Sequence, residues 1–316
     1  MSTTHIPRPI LRRIREIRND HRSGSIALAR RAGETLARLT HAPAHRADFH
    51  RQLILVCRAL TAAQPQMAAI LNLCNAALRA AEDTPEADAA RASVRAAVED
   101  YLQAVQTAAK EIAQSAAVLI SDGMTVATHS YSSAVRDALR NAAAAGRKFR
   151  VALTESRPLL EGVALAKELA SAGIPVSFGV DAAMALLLED SNLVLVGADA
   201  VTDTFLLNKA GTFPAALVAR RQGIPFYALA GSEKFAPPKY RFPPEASKEP
   251  SEVLRRVPRG VEIRNLYFDQ TPLKLVTALI TEKGALDSKL AVCLLRKLSL
   301  HPALMSADLL EEIPED

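Results

Sequence analysis

The sequence predicts an all-helical N-terminal domain followed by an α/β domain on a doubly wound parallel sheet, and three observations predict it. From about residue 8 to 118, apolar residues recur every three or four positions, the helical period. From about 117, short continuously apolar runs alternate with amphipathic ones, as in a parallel sheet covered on both faces. The amphipathic runs of this second region close on Gly146, Gly173 and Gly223, the residue type that ends helices in left-handed backbone. The boundary is placed at 114, giving domains 1–114 and 115–316.

The helical region reads as "ILRRIREI", "SIALARRAGETLARL", "DFHRQLILVCRALTAA", "QMAAILNLCNAALRAA" and "EADAARASVRAAVEDYLQAVQTAAKEIAQSA". Alanine dominates these runs, which favours helix and permits close packing. Thr84 is a candidate cap for the last of them, with Pro85 at the first helical position. The second region begins with "AVLIS" and "MTVATHS" as strand-like runs. It continues through "SAVRDALRNAAAAG", "KFRVALTES", "EGVALAKELASAG", "IPVSFGV", "DAAMALLLED", "NLVLVGAD", "LLNKAG", "FPAALVARRQG" and "IPFYALAG". A proline-rich, charged excursion, "KFAPPKYRFPPEASKEPSEVLRRVPRG", follows, and Thr271 with Pro272 then opens a further helix.

Bulk properties narrow the function. The chain has 316 residues, 49% of them apolar, so a large core is available. No uncharged apolar run approaches the roughly eighteen residues of a membrane span, and the basic start lacks the apolar stretch of a secretory signal. A cytoplasmic protein without membrane attachment is expected. Cys57, Cys74 and Cys293 have no metal-ligand spacing, so buried reduced thiols are expected, with no metal and no cofactor. The first fifty residues hold ten arginines against four acids, yet aromatics are few and no nucleic-acid motif appears, so a nucleic-acid partner is not expected.

In a doubly wound sheet, ligands sit outside the carboxyl ends of the strands. Those ends are "THSYSS" at 128–133, "TESRP" at 154–158, "VDAA" at 180–183, "GADAVTD" at 197–203 and "AGSEKF" at 230–235. They mix hydroxyl, acid and base as a polar substrate requires.

These strand ends, with "NKAGT" and "YFDQTPLKLVTALITEKG", resemble in order the family of initiation factor 2B regulatory subunits alpha, beta and delta. Methylthioribose-1-phosphate isomerase and ribose-1,5-bisphosphate isomerase belong to the same family. The resemblance covers about 115–290 and extends more weakly to "IRNDHRSGSIALARRAGETL". It implies a helical domain packed on a Rossmann-like domain, a homodimer or higher homo-oligomer, and a sugar-phosphate pocket between the domains. Two functions go with it. One is isomerisation of an aldose 1-phosphate to a ketose 1-phosphate; the other is a noncatalytic regulatory or sensor subunit that binds a sugar phosphate or nucleotide monophosphate.

Isomerising a cyclic aldose phosphate needs an acid for the ring oxygen, a base for the proton on the second carbon, and a grip on the phosphate. Asp199 matches the family's catalytic aspartate, and delivery by an apolar strand raises a carboxyl pKa; the alternative is a cap for the following turn. Ser130 stands where the isomerases carry cysteine. A thiol titrates at about 8.5 and can serve as a base, whereas a serine hydroxyl serves only if a group such as His129 activates it. Asn208 and Lys209 match the pair that grips the substrate, although Lys209 pairs equally well with Asp199 or Asp203, and Thr212 with the helix after it offers further donors. Arg157 and Lys234 add positive charge, Lys234 alternatively being only solvated. Glu155 and Asp181 match acids that contact sugar hydroxyls, or else act as helix N-caps. Gly24 either admits the backbone to the ligand or makes a turn. Gln64 replaces an arginine that relatives often show before proline, which removes one phosphate ligand.

Overall fold

The computed structural model describes residues 6–41, 49–82, 84 and 86–305. The chain divides into two compact units, Met1–Thr107 with Glu233–Pro243 and Arg296–Asp316, and Ala108–Ser232 with Pro244–Leu295. The division falls inside a helix.

In the first unit the helical period becomes helices α1 (Arg8–Arg18), α2 (Ser25–His41), α3 (Phe49–Ala63), α4 (Ala68–Glu82) and α5 (Ala87–Ala117). Spacings of three and four place Ile10, Ile14 and Ile17 of α1 in the core, with Leu28, Ala32, Leu36 and Leu39 of α2 and Leu53, Val56 and Leu60 of α3. Arg13 of α1 donates to Glu34 of α2 at 2.9 Å. Gln64 donates its amide to the carbonyls of Ile17 at 2.8 Å and Asp20 at 3.2 Å, so the residue in the arginine position closes the end of α1. The Thr84 hydroxyl donates back to Ala80 at 3.0 Å, so Thr84 finishes α4 and does not cap α5. Pro85 lies outside the described residues.

The second unit holds β1 (Thr125–Thr128), α6 (Ser133–Ala144), β2 (Arg150–Thr154), α7 (Glu161–Ser171), β3 (Val176–Gly179), α8 (Met184–Glu189) and β4 (Leu193–Val196). It continues with β5 (Ala200–Val201), β6 (Phe205–Lys209), α9 (Thr212–Gln222), β7 (Phe226–Leu229), β8 (Phe268–Pro272), β9 (Ala278–Thr281), β10 (Gly284–Leu286) and α10 (Ser288–Leu295). The main sheet runs β10-β9-β7-β4-β1-β2-β3, parallel except for β10. A second, antiparallel sheet runs β5-β6-β8. The core packs Val126, Val151, Leu153 and Leu195 of the strands against Val135 and Leu139 of α6, Leu165 and Leu169 of α7, and Ile112 and Ala116 of α5.

Three local expectations are corrected. The "AVLIS" run is no strand: α5 continues through Ala117, turn bonds from Leu119 to Ala116 and from Ile120 to Ala117 follow, and Val118 is 80% exposed. Thr271 and Pro272 do not open a helix, because β8 runs to Pro272 in register with β6, Phe205 facing Pro272. A one-turn 3₁₀ segment, Leu273–Leu275, follows instead. Cys57 and Cys74 are buried, as expected, whereas Cys293 on α10 is exposed.

Candidate functional site

Two serines mark the strand ends. Ser130, two residues past β1, and Ser156, two past β2, both have left-handed backbone, at φ 65° and 62°. Such a conformation in a non-glycine residue costs on the order of 1–3 kcal/mol and persists only where neighbours enforce it. The enforcing bonds are present. The Ser130 N–H donates to the Ser156 hydroxyl at 2.8 Å, and the Ser156 N–H donates to Asp181 Oδ1 at 2.8 Å. The Arg157 N–H donates to the other Asp181 oxygen at 2.7 Å. Asp181 therefore pins the loop after β2, and it makes no side-chain cap to its own 3₁₀ turn, Asp181–Ala183.

His129 is 2% exposed beneath this loop. Its Nε2 faces the Ala210 carbonyl at 2.8 Å, which requires Nε2 to carry the proton. In the neutral ring Nδ1 then accepts from the Thr154 hydroxyl at 2.8 Å. Burial lowers its pKa, against a smaller upward pull from the Ala210 carbonyl and Asp181. Both nitrogens are thus committed to partners other than Ser130, and the Ser130 hydroxyl makes no hydrogen bond to a described residue. In this arrangement His129 makes no hydrogen bond to the Ser130 hydroxyl. Gly211 faces the same ring at φ 112°; a β-carbon there would overlap the imidazole.

Lys209, at the end of β6, is 6% exposed. It pairs with neither Asp199 nor Asp203. Its Nζ lies 2.6 Å from Glu161 Oε1 and 5.1 Å from the centre of the Tyr267 ring. Glu161 supplies the countercharge that a buried ammonium requires, and its second oxygen, Oε2, is buried without a hydrogen-bond partner. Gly162 makes this pair reachable, because a β-carbon there would overlap the Thr154 carbonyl and push the start of α7 away from β2. His129 Nδ1 lies 4.0 Å from Asp181 Oδ1, and its Nε2 bonds the carbonyl of Ala210, the residue next to Lys209, so the Lys209–Glu161 pair and Asp181 share its neighbourhood.

Successive strand positions project to opposite faces, and Asn208 accordingly turns away from Lys209. Its amide donates to Thr212 Oγ1 at 2.9 Å, and Thr212 in turn donates to the Lys209 carbonyl at 2.6 Å. The start of α9, expected to offer donors to a phosphate, already holds an anion. Asp269 accepts the N–H groups of Gly211 at 2.7 Å and Phe213 at 3.0 Å. Burial outweighs these bonds and pushes the Asp269 pKa up to about 6. Asp199 is half-buried beside β6, its N–H donating to the Leu207 carbonyl at 2.9 Å.

The remaining expected residues lie as follows. Arg157 is exposed and its Nη2 donates to the Glu252 and Val253 carbonyls, both at 2.9 Å, which ties the proline-rich excursion to the loop after β2. Glu155 is half-buried, its side chain making no hydrogen bond or ion pair to a described residue, and it caps no helix, since Leu160 precedes α7. Lys234 and Gly24 belong to the helical unit. Lys234 is 5% exposed, not solvated. Gly24 makes a turn into α2, accepting the Leu28 N–H at 3.1 Å, and a β-carbon there would meet nothing within 4 Å. Sequence reasoning missed Ser156, Glu161, Tyr267 and Asp269. An acid in the first turn of α7 was the one available signal for Glu161. Among the described residues no helix is long and apolar enough to cross a membrane, and no cluster of three His, Cys, Asp or Glu could hold a metal.

Known proteins resemble this chain in sequence and in fold. A Pyrococcus furiosus protein described as translation initiation factor eIF-2B subunit 2-like is 34% identical over 281 residues, 88% of this chain and 96% of that one. The ribose 1,5-bisphosphate isomerase of Archaeoglobus fulgidus is 31% identical over 290 residues, 89% of this chain and 91% of that one. A crystal structure of the Pyrococcus horikoshii OT3 translation initiation factor eIF-2B superposes with a TM-score of 0.77 at 32% identity, covering 89% of this chain and 98% of that one. The sequence pattern of the initiation factor 2 subunit family matches residues 21–288. The chain belongs to that family.

Proposed function

We propose that this chain is a cytoplasmic, homodimeric protein that binds an aldose 1-phosphate at the strand ends of its α/β unit without using Ser130 as a base. One observation carries the reading. Ser130, Asp181 and the Lys209–Glu161 pair surround a His129 whose two nitrogens are both spent on structural bonds. The neighbourhood keeps polar groups for a sugar phosphate: the Ser130 hydroxyl and two of the three ammonium protons of Lys209. Among the described residues none accepts a hydrogen bond from the Ser130 hydroxyl, which supports binding without Ser130 as a base. Calorimetric titration with ribose 1-phosphate, ribose 1,5-bisphosphate and methylthioribose 1-phosphate tests the reading. Saturable binding of at least one, weakened about tenfold or more when Lys209→Met is combined with Glu161→Gln, is expected. No binding of any of the three would refute it, and sedimentation at the mass of one chain would refute the dimer.

A second reading is turnover of the same ligand to the ketose 1-phosphate, with Asp199 as acid and a base other than the Ser130–His129 pair. The 31% identity to an isomerase along 89% of the chain favours it. Ketose product from the wild-type protein, abolished by Asp199→Asn, would establish it.

A further inference from the structure

The loops after β1 and β2 repeat one device. Thr128-His129-Ser130 and Thr154-Glu155-Ser156 each leave a parallel strand through a threonine and reach a left-handed serine two residues on. The two serines differ in what their hydroxyls do. That of Ser156, fully buried, accepts the Ser130 N–H at 2.8 Å, while that of Ser130 contacts no described residue by hydrogen bond. Backbone strain is therefore held at both sites, but the hydroxyl is committed at only one.

We propose that Ser156 is the positioning residue for Ser130: its hydroxyl clamps the Ser130 N–H and so holds the left-handed backbone from which Ser130 offers its own hydroxyl to a sugar phosphate. The proposal rests on the binding reading given above. Asp181 anchors the clamp, because its carboxylate fixes the N–H groups of Ser156 and Arg157. The chain of bonds thus runs across three neighbouring strand ends, from Asp181 after β3 through Ser156 after β2 to Ser130 after β1. Without the Ser156 hydroxyl the buried Ser130 N–H loses its acceptor, and Ser130 relaxes toward ordinary backbone.

Two substitutions separate the hydroxyl from the strain. Ser156→Ala removes the hydroxyl and keeps the strained β-carbon. Ser156→Gly removes the hydroxyl and relieves the strain, since glycine adopts positive φ freely. Titration of each with ribose 1,5-bisphosphate, ribose 1-phosphate and methylthioribose 1-phosphate is read beside thermal unfolding. Both variants are expected to lose about tenfold in affinity for whichever of these the wild-type protein binds, although the glycine variant unfolds at the higher temperature. In a Ser130→Ala background, Ser156→Gly is expected to cost less than about twofold further, because the hydroxyl being positioned is already absent. A glycine variant that binds like wild type, or equal losses with and without Ser130, overturns the proposal while leaving the binding reading intact. A wild-type protein that binds none of the three overturns both.

Discussion

Lys209 and Glu161, forty-eight positions apart, meet at 2.6 Å with their side chains 7% and 19% exposed. Neither charge would be tolerated so far from water alone, and each exists here because the other does. The pair also sets the character of the neighbourhood. It holds the ammonium in one place, with a carboxylate 2.6 Å from Nζ balancing its charge.

Removing one member exposes this dependence. Glu161→Ala should destabilise the protein by about 3 kcal/mol, because an uncompensated buried ammonium remains. The double replacement Glu161→Leu with Lys209→Met should cost less than Glu161→Ala alone. Urea unfolding with unchanged m-values checks both, and a single variant within about 0.5 kcal/mol of wild type would show the pair to be energetically idle.

Gly211 should not tolerate a side chain. Alanine there would require φ 112° and overlap the His129 ring, so Gly211→Ala should cost about 3 kcal/mol by combined strain and crowding. Thermal unfolding of this variant, compared with Gly24→Ala, where the added carbon meets nothing within 4 Å, gives the contrast.

Stability should respond to acid through His129. Its folded pKa is lowered from 6.5, chiefly by burial, so the unfolded chain takes up the proton first as pH falls. The unfolded state then binds more protons, and the stability His129 contributes, full above about 6.5, declines below it. His129→Gln should flatten that decline, as followed by urea unfolding between pH 7.5 and about 5.

Asp269 should act with the opposite sign in an overlapping window. Its folded pKa, pushed up from 3.8 to about 6, means that the native state binds the proton first. Its contribution therefore grows as pH falls from about 6 toward 4 and is lost as pH rises through 6. Asp269→Ala also frees the N–H groups of Gly211 and Phe213, a loss of about 1–2 kcal/mol by analogy with other caps. The gap between wild type and this variant should widen toward pH 4, and a constant gap would contradict the raised pKa.

Much of this was legible from local pattern. Period and glycine punctuation foretold α1 to α5 and the strands of the parallel sheet, since each element there buries a face dictated by its own spacing. The strand-end rule pointed to the segments that hold Ser130 and Asp181, and the family resemblance pointed to Lys209. What failed depended on partners distant in sequence. Glu161 reads as an ordinary first-turn acid until α7 is docked by Gly162 against β2, and Lys209 was matched to the nearest acids along the chain, not the nearest in space. Asp269 occupies the start of α9 from fifty-six residues beyond Phe213, so a phosphate site inferred from that helix end was already filled. Pro272 read as a helix start because register with Phe205 on β6, which makes it the end of a strand, is a tertiary fact.

The most direct test is a crystal of the wild-type protein soaked with ribose 1,5-bisphosphate. The account predicts a phosphate oxygen within hydrogen-bonding distance of Lys209 Nζ and the sugar against the Ser130 hydroxyl, with His129 still bonded to Ala210 and Thr154. A ligand bound elsewhere, or Lys209 still held by Glu161 with no sugar beside Ser130, would contradict it.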